Sequence, residues 1–278
     1  MVYCLIGLPE EGLRIAKESL NILSQINQND ITVETYHCAN INTIFLNKVD
    51  IVIQFSQAML GRAERSGDLW ERGFAYIWRA FALVLQGQFG EALQIGREAL
   101  AIFERLDNPF GSSVASGIIL GTISMARGEI TAAKAYFLRG MQAAEEINYL
   151  RLLQMANDYL GTAGLLEGEI ERAQQLFHKS LRITQECGQT REMLASLRDF
   201  ATVHMAQGDL ENALRLLAIV LNHPASDQNS INRPERLRDE AEKLRAQIES
   251  QVDQPSYQSG WKAGQNQHLS DVVNQILN

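Results

Sequence analysis

The sequence predicts an all-α solenoid in which helix pairs repeat about every 40 residues and further helices close the C-terminal end. Three observations predict it. Only 5 of 278 residues are proline, so long helices escape the roughly 3 kcal/mol cost of an interior proline. Glycine-acidic turn segments recur on a fixed period. Around each turn, small and large apolar residues recur at fixed offsets.

The turns set the register. GQFGEA begins at Gly87, GEITAA at Gly128, GEIERA at Gly168 and GDLENA at Gly208, with gaps of 41, 40 and 40 residues. The same step backward reaches Asn47 in NKVDIV and Gly7 in GLPEEG, so six phases fit. Five residues after the phase residue stand Gly12, Val52, Ala92, Ala133, Ala173 and Ala213, mostly small. Thirteen after it stand Leu20, Leu60, Leu100, Met141, Leu181 and Leu221, all large and apolar. Seven before it, the last four repeats carry Ala80, Gly121, Gly161 and Ala201. Twenty after it come Asn27, Gly67, Asp107, Asn148 and Gly188, suited to a left-handed helix C-cap. Asp107 belongs to the repeat with an extra residue, and the cap there has room to slip onto Asn108.

Each repeat then reads as two helices. The first ends at the phase residue. The second opens with acids such as Glu91, Glu129, Glu169, Glu171, Asp209 and Glu211, favourable beside the positive end of the helix dipole. Ile170, Ala173, Leu176, Phe177, Leu181 and Ile183 form one apolar stripe at helical spacing. A pair with one stripe per helix cannot bury itself alone, so neighbours stack. At the N-terminal end, Met1 to Ile6 supply only a stub of a first helix. The helix Glu10 to Gln25 is therefore expected to leave Leu13, Ile15, Leu20 and Leu23 partly uncovered, as an interface for a second copy or an upstream protein. The array spans residues 1–223. In 224–278, Asn222 to Arg233 reads as a linker and Pro234 to Val252 as a capping helix with Leu237, Ala241, Leu244, Ile248 and Val252 on one face. Residues 253–267 read as loosely structured, and Ser270 to Leu277 as a short helix with Ser270 as N-cap.

Composition narrows the function. Hydrophobic residues make up 46% and charged residues 21% of a chain with net charge −8, a core-forming balance that disfavours gripping nucleic acid. No apolar run approaches the roughly 18 residues of a membrane span, and no secretory signal opens the chain. Cys4, Cys38 and Cys187 fit no zinc or redox motif and read as reduced, cytoplasmic thiols. No P-loop, GxGxxG, HExxH or GxSxG occurs, so no enzyme, cofactor or metal is expected. His37, His178, His204, His223 and His268 fall at unrelated phases, with nothing to show that they converge. Glu145–Glu146 and Asp239–Glu240 read as solvated pairs. Arg236, Arg238, Lys243 and Arg245 are interleaved with acids and mark a charged helix.

The turn and its flanking small residues resemble the tetratricopeptide repeat (TPR), over about residues 1–223. The period of 40 rather than 34 is similar to the longer-helix variety of MalT-like regulators; HEAT and armadillo repeats share the period but are not expected to show this turn. YCLIGLPEEG from Tyr3 and WRAFALVLQG from Trp78 resemble the C-terminal TPR sensor region of large bacterial signalling ATPases. So does the ending Trp261, Gly264, Leu269, Val272, Val273 and Leu277. The resemblance implies a right-handed superhelix of about six helix pairs, the first incomplete, and a chain like the sensor portion of such a protein standing alone.

It further implies that first helices line a concave groove. In register the candidates are Tyr76, Ile77 and Phe81, then Ile118, Thr122 and Met125, then Asp158, Thr162 and Leu165, then Arg198, Thr202 and Met205. Trp78 and Arg79 adjoin the first set, and Arg79 matches an arginine recurrent in the resembled proteins. Arg79, Asp158 and Arg198 would clamp a carboxylate or sugar-like ligand over an aromatic floor; alternatively, Arg79 and Asp158 pair with surface neighbours. The expected function is a non-catalytic protein–protein interaction scaffold in signalling. The alternative is a ligand-sensing module, taking a small inducer, that acts on a separate ATPase or transcription regulator. An exposed groove favours the first and a small closed pocket between repeats the second.

Overall fold

The computed structural model describes residues 9–26, 33–46, 48–227 and 236–278. The stub Met1–Ile6, the phase residues Gly7 and Asn47, the cap Asn27 and the second half of the linker, with Pro234, lie outside them. The chain divides into two compact units, Met1–Asn148 and Tyr149–Asn278. Among the described residues all regular structure is helical.

The first unit contains α1 (Pro9–Ile26), α2 (Val33–Phe45), α3 (Val49–Ser66), α4 (Leu69–Leu85), α5 (Phe89–Arg105), α6 (Pro109–Ala126) and α7 (Ile130–Glu146), each packed on the next. The second contains α8 (Leu150–Leu166), α9 (Ile170–Glu186), α10 (Thr190–Ala206), α11 (Leu210–Asn222), α12 (Leu237–Glu249), α13 (Gln254–Gln265) and α14 (Leu269–Leu277).

The turns form as their residues require. Gly87, Gly128, Gly168 and Gly208 have φ of 75°, 76°, 77° and 80°. The following amides of Gln88, Glu129, Glu169 and Asp209 reach back to Leu83, Ser124, Gly164 and His204 carbonyls at 2.8–2.9 Å. This closes a Schellman cap four times. The second column caps equally: Gly67, Asp107, Asn148 and Gly188 all have positive φ.

Asp107 itself takes the left-handed conformation, so the cap does not slip. Asn108 instead begins the next helix, its Oδ1 accepting the Gly111 amide at 2.7 Å. The extra residue is absorbed further on. From Asp107 to Gly121 is 14 residues, against 13 from Asn148 to Gly161 and from Gly188 to Ala201. Within that stretch Val114–Gly121 is π-helical, the form that accommodates one inserted residue inside an α-helix. A Cβ on Gly140 of α7 would lie 2.7 Å from the Gly117 Cα of that segment, and Ser113 Oγ donates to the Gly140 carbonyl at 2.7 Å. The two glycines thus let α6 and α7 touch backbone to backbone. Pro109–Ala126 is long and apolar enough by composition to cross a membrane, but 56% of it is buried inside the protein, as for a core helix.

The small column is buried throughout: Val52, Ala92, Ala133, Ala173 and Ala213 are fully inaccessible. Gly121 and Gly161 seat Phe137 and Phe177, whose ring atoms would lie 2.4 and 2.6 Å from an added Cβ. Ala173→Leu is expected to overpack the second unit by about 1–3 kcal/mol, read as a lower thermal midpoint by circular dichroism. An unchanged midpoint would mean that the column tolerates bulk and is not packed as described.

Three expectations need correction. Leu13 is buried, with α1 packed on the following helix α2; Ile15 and Leu20 are half-buried, as expected, and the Leu23 side chain lies outside the described residues. Residues 254–265 are helical rather than loose. Asp253 caps α13 by accepting the Ser256 amide at 2.8 Å, and Gly260 and Gly264 lie against α11. Finally, α14 starts at Leu269 with His268 as N-cap, placing Ser270 inside the helix.

The face predicted for the capping helix is observed: Leu237, Ala241, Leu244 and Ile248 are buried, and α12 packs on α10 and α11. Flanking that face, Arg245 lies 5.5 Å above the Trp261 ring of α13, which stacks on Tyr257.

Candidate functional site

First helices bury two flanks against second helices, so only a narrow stripe of each is available for recognition. In the first unit that stripe holds Tyr76, Arg79 and Phe81 on α4 and Ile118, Thr122 and Met125 on α6, all intermediate in burial. In the second it holds Thr162 and Leu165 on α8 and Thr202 and Met205 on α10, again intermediate. Each of Thr122, Thr162 and Thr202 donates its hydroxyl to the carbonyl four residues back, Ile118, Asp158 and Arg198. The threonine column therefore contributes methyl groups and acceptor oxygens, not free donors.

Trp78 and Ile77 depart from the expected groove set. Both are buried; the Trp78 ring packs edge-on to His37 at 5.0 Å and to Phe81 at 6.4 Å. Trp78 supports Phe81 from within the core and cannot floor a groove itself. The Arg79 side chain is 38% exposed and pairs with Glu91 across α4 and α5 at 3.2 Å. A pair this exposed contributes about 0–1 kcal/mol, so a ligand anion can displace it cheaply.

Asp158, buried, and Arg198, half-buried, belong to an ionic layer in the second unit. Arg198 pairs with Asp199 at 2.6 Å and with Glu240 of α12 at 3.1 Å, while Arg191 pairs with Glu192 at 3.0 Å. Gln154 donates to the Asp158 carboxylate. Four carboxylates thus share the layer with two guanidiniums. Burial pushes the Asp158 carboxyl up to about 7, with Glu192 adding to the rise and Ser180, Arg198 and Gln154 opposing it. Asp199 is also raised, again by burial first, against the pull of Arg198. Glu240, expected on a solvated surface, is half-buried and pairs with Arg198. The three side chains each have partners already: Arg79 is paired in the first unit, and Asp158 and Arg198 are engaged in the ionic layer of the second.

A second feature escaped the sequence because its parts come from five helices. A pocket of about 570 Å³ in the second unit is lined by Gln185, Thr190, Met193, Ile219, Asn222 and His223, by Gly264, Gln265 and Gln267, and by His268, Leu269, Ser270 and Val273. His223 and His268, unrelated in phase, both line it. No group of three or more metal-ligating side chains occurs among the described residues.

The turns, columns and helix pairing decide the family. Residues 39–254 match the MalT-like TPR region. The chain belongs to that family. No curated protein matches it. Among solved structures, BtubC from P. vanneervenii gives a TM-score of 0.62 at 15% identity, over 89% of this chain and 94% of that one. A signal transduction ATPase with numerous domains and a tetratricopeptide repeat sensor, from Pyrococcus horikoshii, gives 0.64 at 14% identity, over 97% of this chain. This chain spans 44% of that protein. The apo form of RapI gives 0.59 at 13% identity, over 99% of this chain and 84% of that one. At these identities the likeness is one of fold, and the TPR fold is generally non-catalytic.

Proposed function

We propose that this chain is a non-catalytic recognition module of a cytoplasmic signalling system, holding a partner peptide or protein against the exposed stripes of its first helices. The observation that carries the reading is the recurrence of half-buried apolar and threonine positions on those helices. In the first unit these are Phe81 and Thr122, with Val84 and Met125 one turn on, and in the second Thr162 and Thr202, with Leu165 and Met205 one turn on. Within each unit, half-buried apolar residues that repeat in register offer shallow contacts to a partner segment. Tyr76 and Arg79 add a polar aromatic and a displaceable cation in the first unit. Within this reading Thr162 and Thr202 take part in contact, Trp78 acts behind Phe81, and Asp158 and Arg198 stiffen the second unit beneath the stripe.

Photo-cross-linking tests it. With p-benzoylphenylalanine at position 81 or at position 202, a discrete cross-linked partner is expected in the source cell. The same group at Lys179 on α9, away from the first helices, is expected to give none. Against the isolated partner, Tyr76→Ala with Arg79→Glu should weaken binding about tenfold or more, as loss of a contact hot spot does. Equal cross-linking from position 179, or unchanged affinity in the double variant, would sink the proposal.

A second reading, a ligand-sensing module acting on a separate ATPase or transcription regulator, is supported by the likeness to the TPR sensor of the Pyrococcus ATPase and by the second-unit pocket.

A further inference from the structure

We infer that the second-unit pocket is a binding site for an uncharged, amide-bearing ligand, specifically a short peptide segment with small apolar side chains. None of the residues assigned above to partner contact lines it, so this inference goes beyond that reading. Its volume, about 570 Å³, falls within the range of small-molecule sites. The floor is apolar: Ile219 and Val273 are buried, and Met193 and Leu269 half-buried. The rim carries the amides of Gln185, Asn222, Gln265 and Gln267, the hydroxyls of Thr190 and Ser270, and the imidazoles of His223 and His268. Lysine, arginine, aspartate and glutamate are missing from the lining, so a charged ligand would lose its hydration without gaining a counter-charge.

Three rim groups are already oriented by bonds on their far sides. Gln185 Nε2 donates to Asn274 Oδ1 of α14 at 2.7 Å, which leaves its carbonyl oxygen to accept. Gln267 Oε1 accepts from Arg215 Nη1 at 3.0 Å, which leaves its NH₂ to donate. His223 Nδ1 accepts the Ala225 amide at 3.1 Å, so the neutral ring carries its proton on Nε2, again a donor. One acceptor and two donors above an apolar floor match a peptide unit. The carbonyl of that unit takes a donor, its N–H meets Gln185, and its side chain covers Ile219 and Val273. Because the lining joins α9, α10 and α11 to α13 and α14, an occupant also ties the C-terminal helices down.

Methyl NMR of the full chain, labelled at Met, Ile and Val, tests this with N-acetyl-Ala-Ala-amide as the probe. Saturable shifts are expected at Met193, Ile219 and Val273, with Met59 of the first unit unmoved. Gln267→Glu keeps an oxygen for Arg215 but removes the donor, and Thr190→Val removes a rim hydroxyl. Each should weaken the probe about three- to tenfold, the worth of one hydrogen bond. Acetamide, acetate and glycerol serve as comparison arms. A dipeptide amide that binds more tightly than acetamide assigns a peptide segment. Acetamide binding as tightly overturns the peptide occupant in favour of a free small amide. Absence of saturable shifts, equal shifts with acetate or glycerol, or full affinity in both folded variants overturns the site.

Discussion

Gly264→Ala is expected to release α13 from α11 and lower the stability of the second unit by about 3 kcal/mol, the upper end of overpacking costs. A Cβ there would lie 2.1 Å from the Arg215 carbonyl oxygen and 2.8 Å from the Ala218 Cβ. A Cβ on Gly260, one helical turn earlier on the same face, would lie 2.6 Å from the Glu211 carbonyl oxygen. The obstacle is backbone, which cannot rotate aside as a side chain can. Lifting α13 also removes the Tyr257–Trp261 stack from Arg245 and frees α14, whose Val272 and Val273 are fully buried. Hydrogen exchange by mass spectrometry should show lost protection in 254–277, with a lower thermal midpoint. Lys262→Ala, at an exposed position of the same helix, should change neither. Retained protection in the Gly264 variant would show that α13 does not depend on that contact.

Asp158→Asn is expected to remove part of the pH dependence of stability. The folded carboxyl is raised from the ordinary 3.8 to about 7, so between those values the native state holds a proton that the unfolded chain has released. Stability then falls as pH rises from about 4 to about 7, and the loss is complete above 7. The full shift corresponds to roughly 4 kcal/mol at about 1.4 kcal/mol per unit. The asparagine variant carries no such proton. It should lose less stability over that interval and be the more stable protein at pH 8, by an amount of the order of a few kcal/mol. Urea titrations at pH 4.5, 6 and 8 give both slopes, and parallel slopes would refute the assignment. Asp199 is raised in the same direction but is the partner of Arg198 at 2.6 Å. Asp199→Asn would leave that guanidinium short of a counter-charge and confound the reading.

The contrast between these two sites shows how much was written in the chain. Local conformational demand is legible in a linear sequence, because a left-handed cap needs a glycine, asparagine or aspartate at one place whatever surrounds it. Hence both turn columns, Gly87 to Gly208 and Gly67 to Gly188, are where the period puts them, and the alanine column between is buried. Helical periodicity likewise placed Leu237, Ala241, Leu244 and Ile248 on one face of the capping helix. Residues 253–267 read as loose in the sequence, and the local cost of glycine in a helix, at Gly260 and Gly264, points the same way. Tertiary contact tips that balance the other way, since α11 needs a partner whose backbone comes close enough to meet Glu211 and Arg215.

What the sequence by itself determined is therefore the repeat: its period, its turns, its packed columns and the MalT-like TPR family that they mark. It also located the extra residue of the 41-residue repeat, though only the fold shows that a π-helical turn over Val114–Gly121 absorbs it and keeps Asp107 in register. The fate of the polar residues was decided by tertiary structure alone. Arg79 stays partly exposed beside Glu91, while Asp158 and Arg198, one repeat apart at the same phase, are drawn into an ionic layer by Gln154, Asp199 and Glu240. His223 and His268 meet in one pocket only because α14 folds back onto α9 and α10. The physical reason is range: caps and stripes depend on neighbours within a helical turn, whereas the pairing and burial of a charge depend on which distant helix arrives beside it.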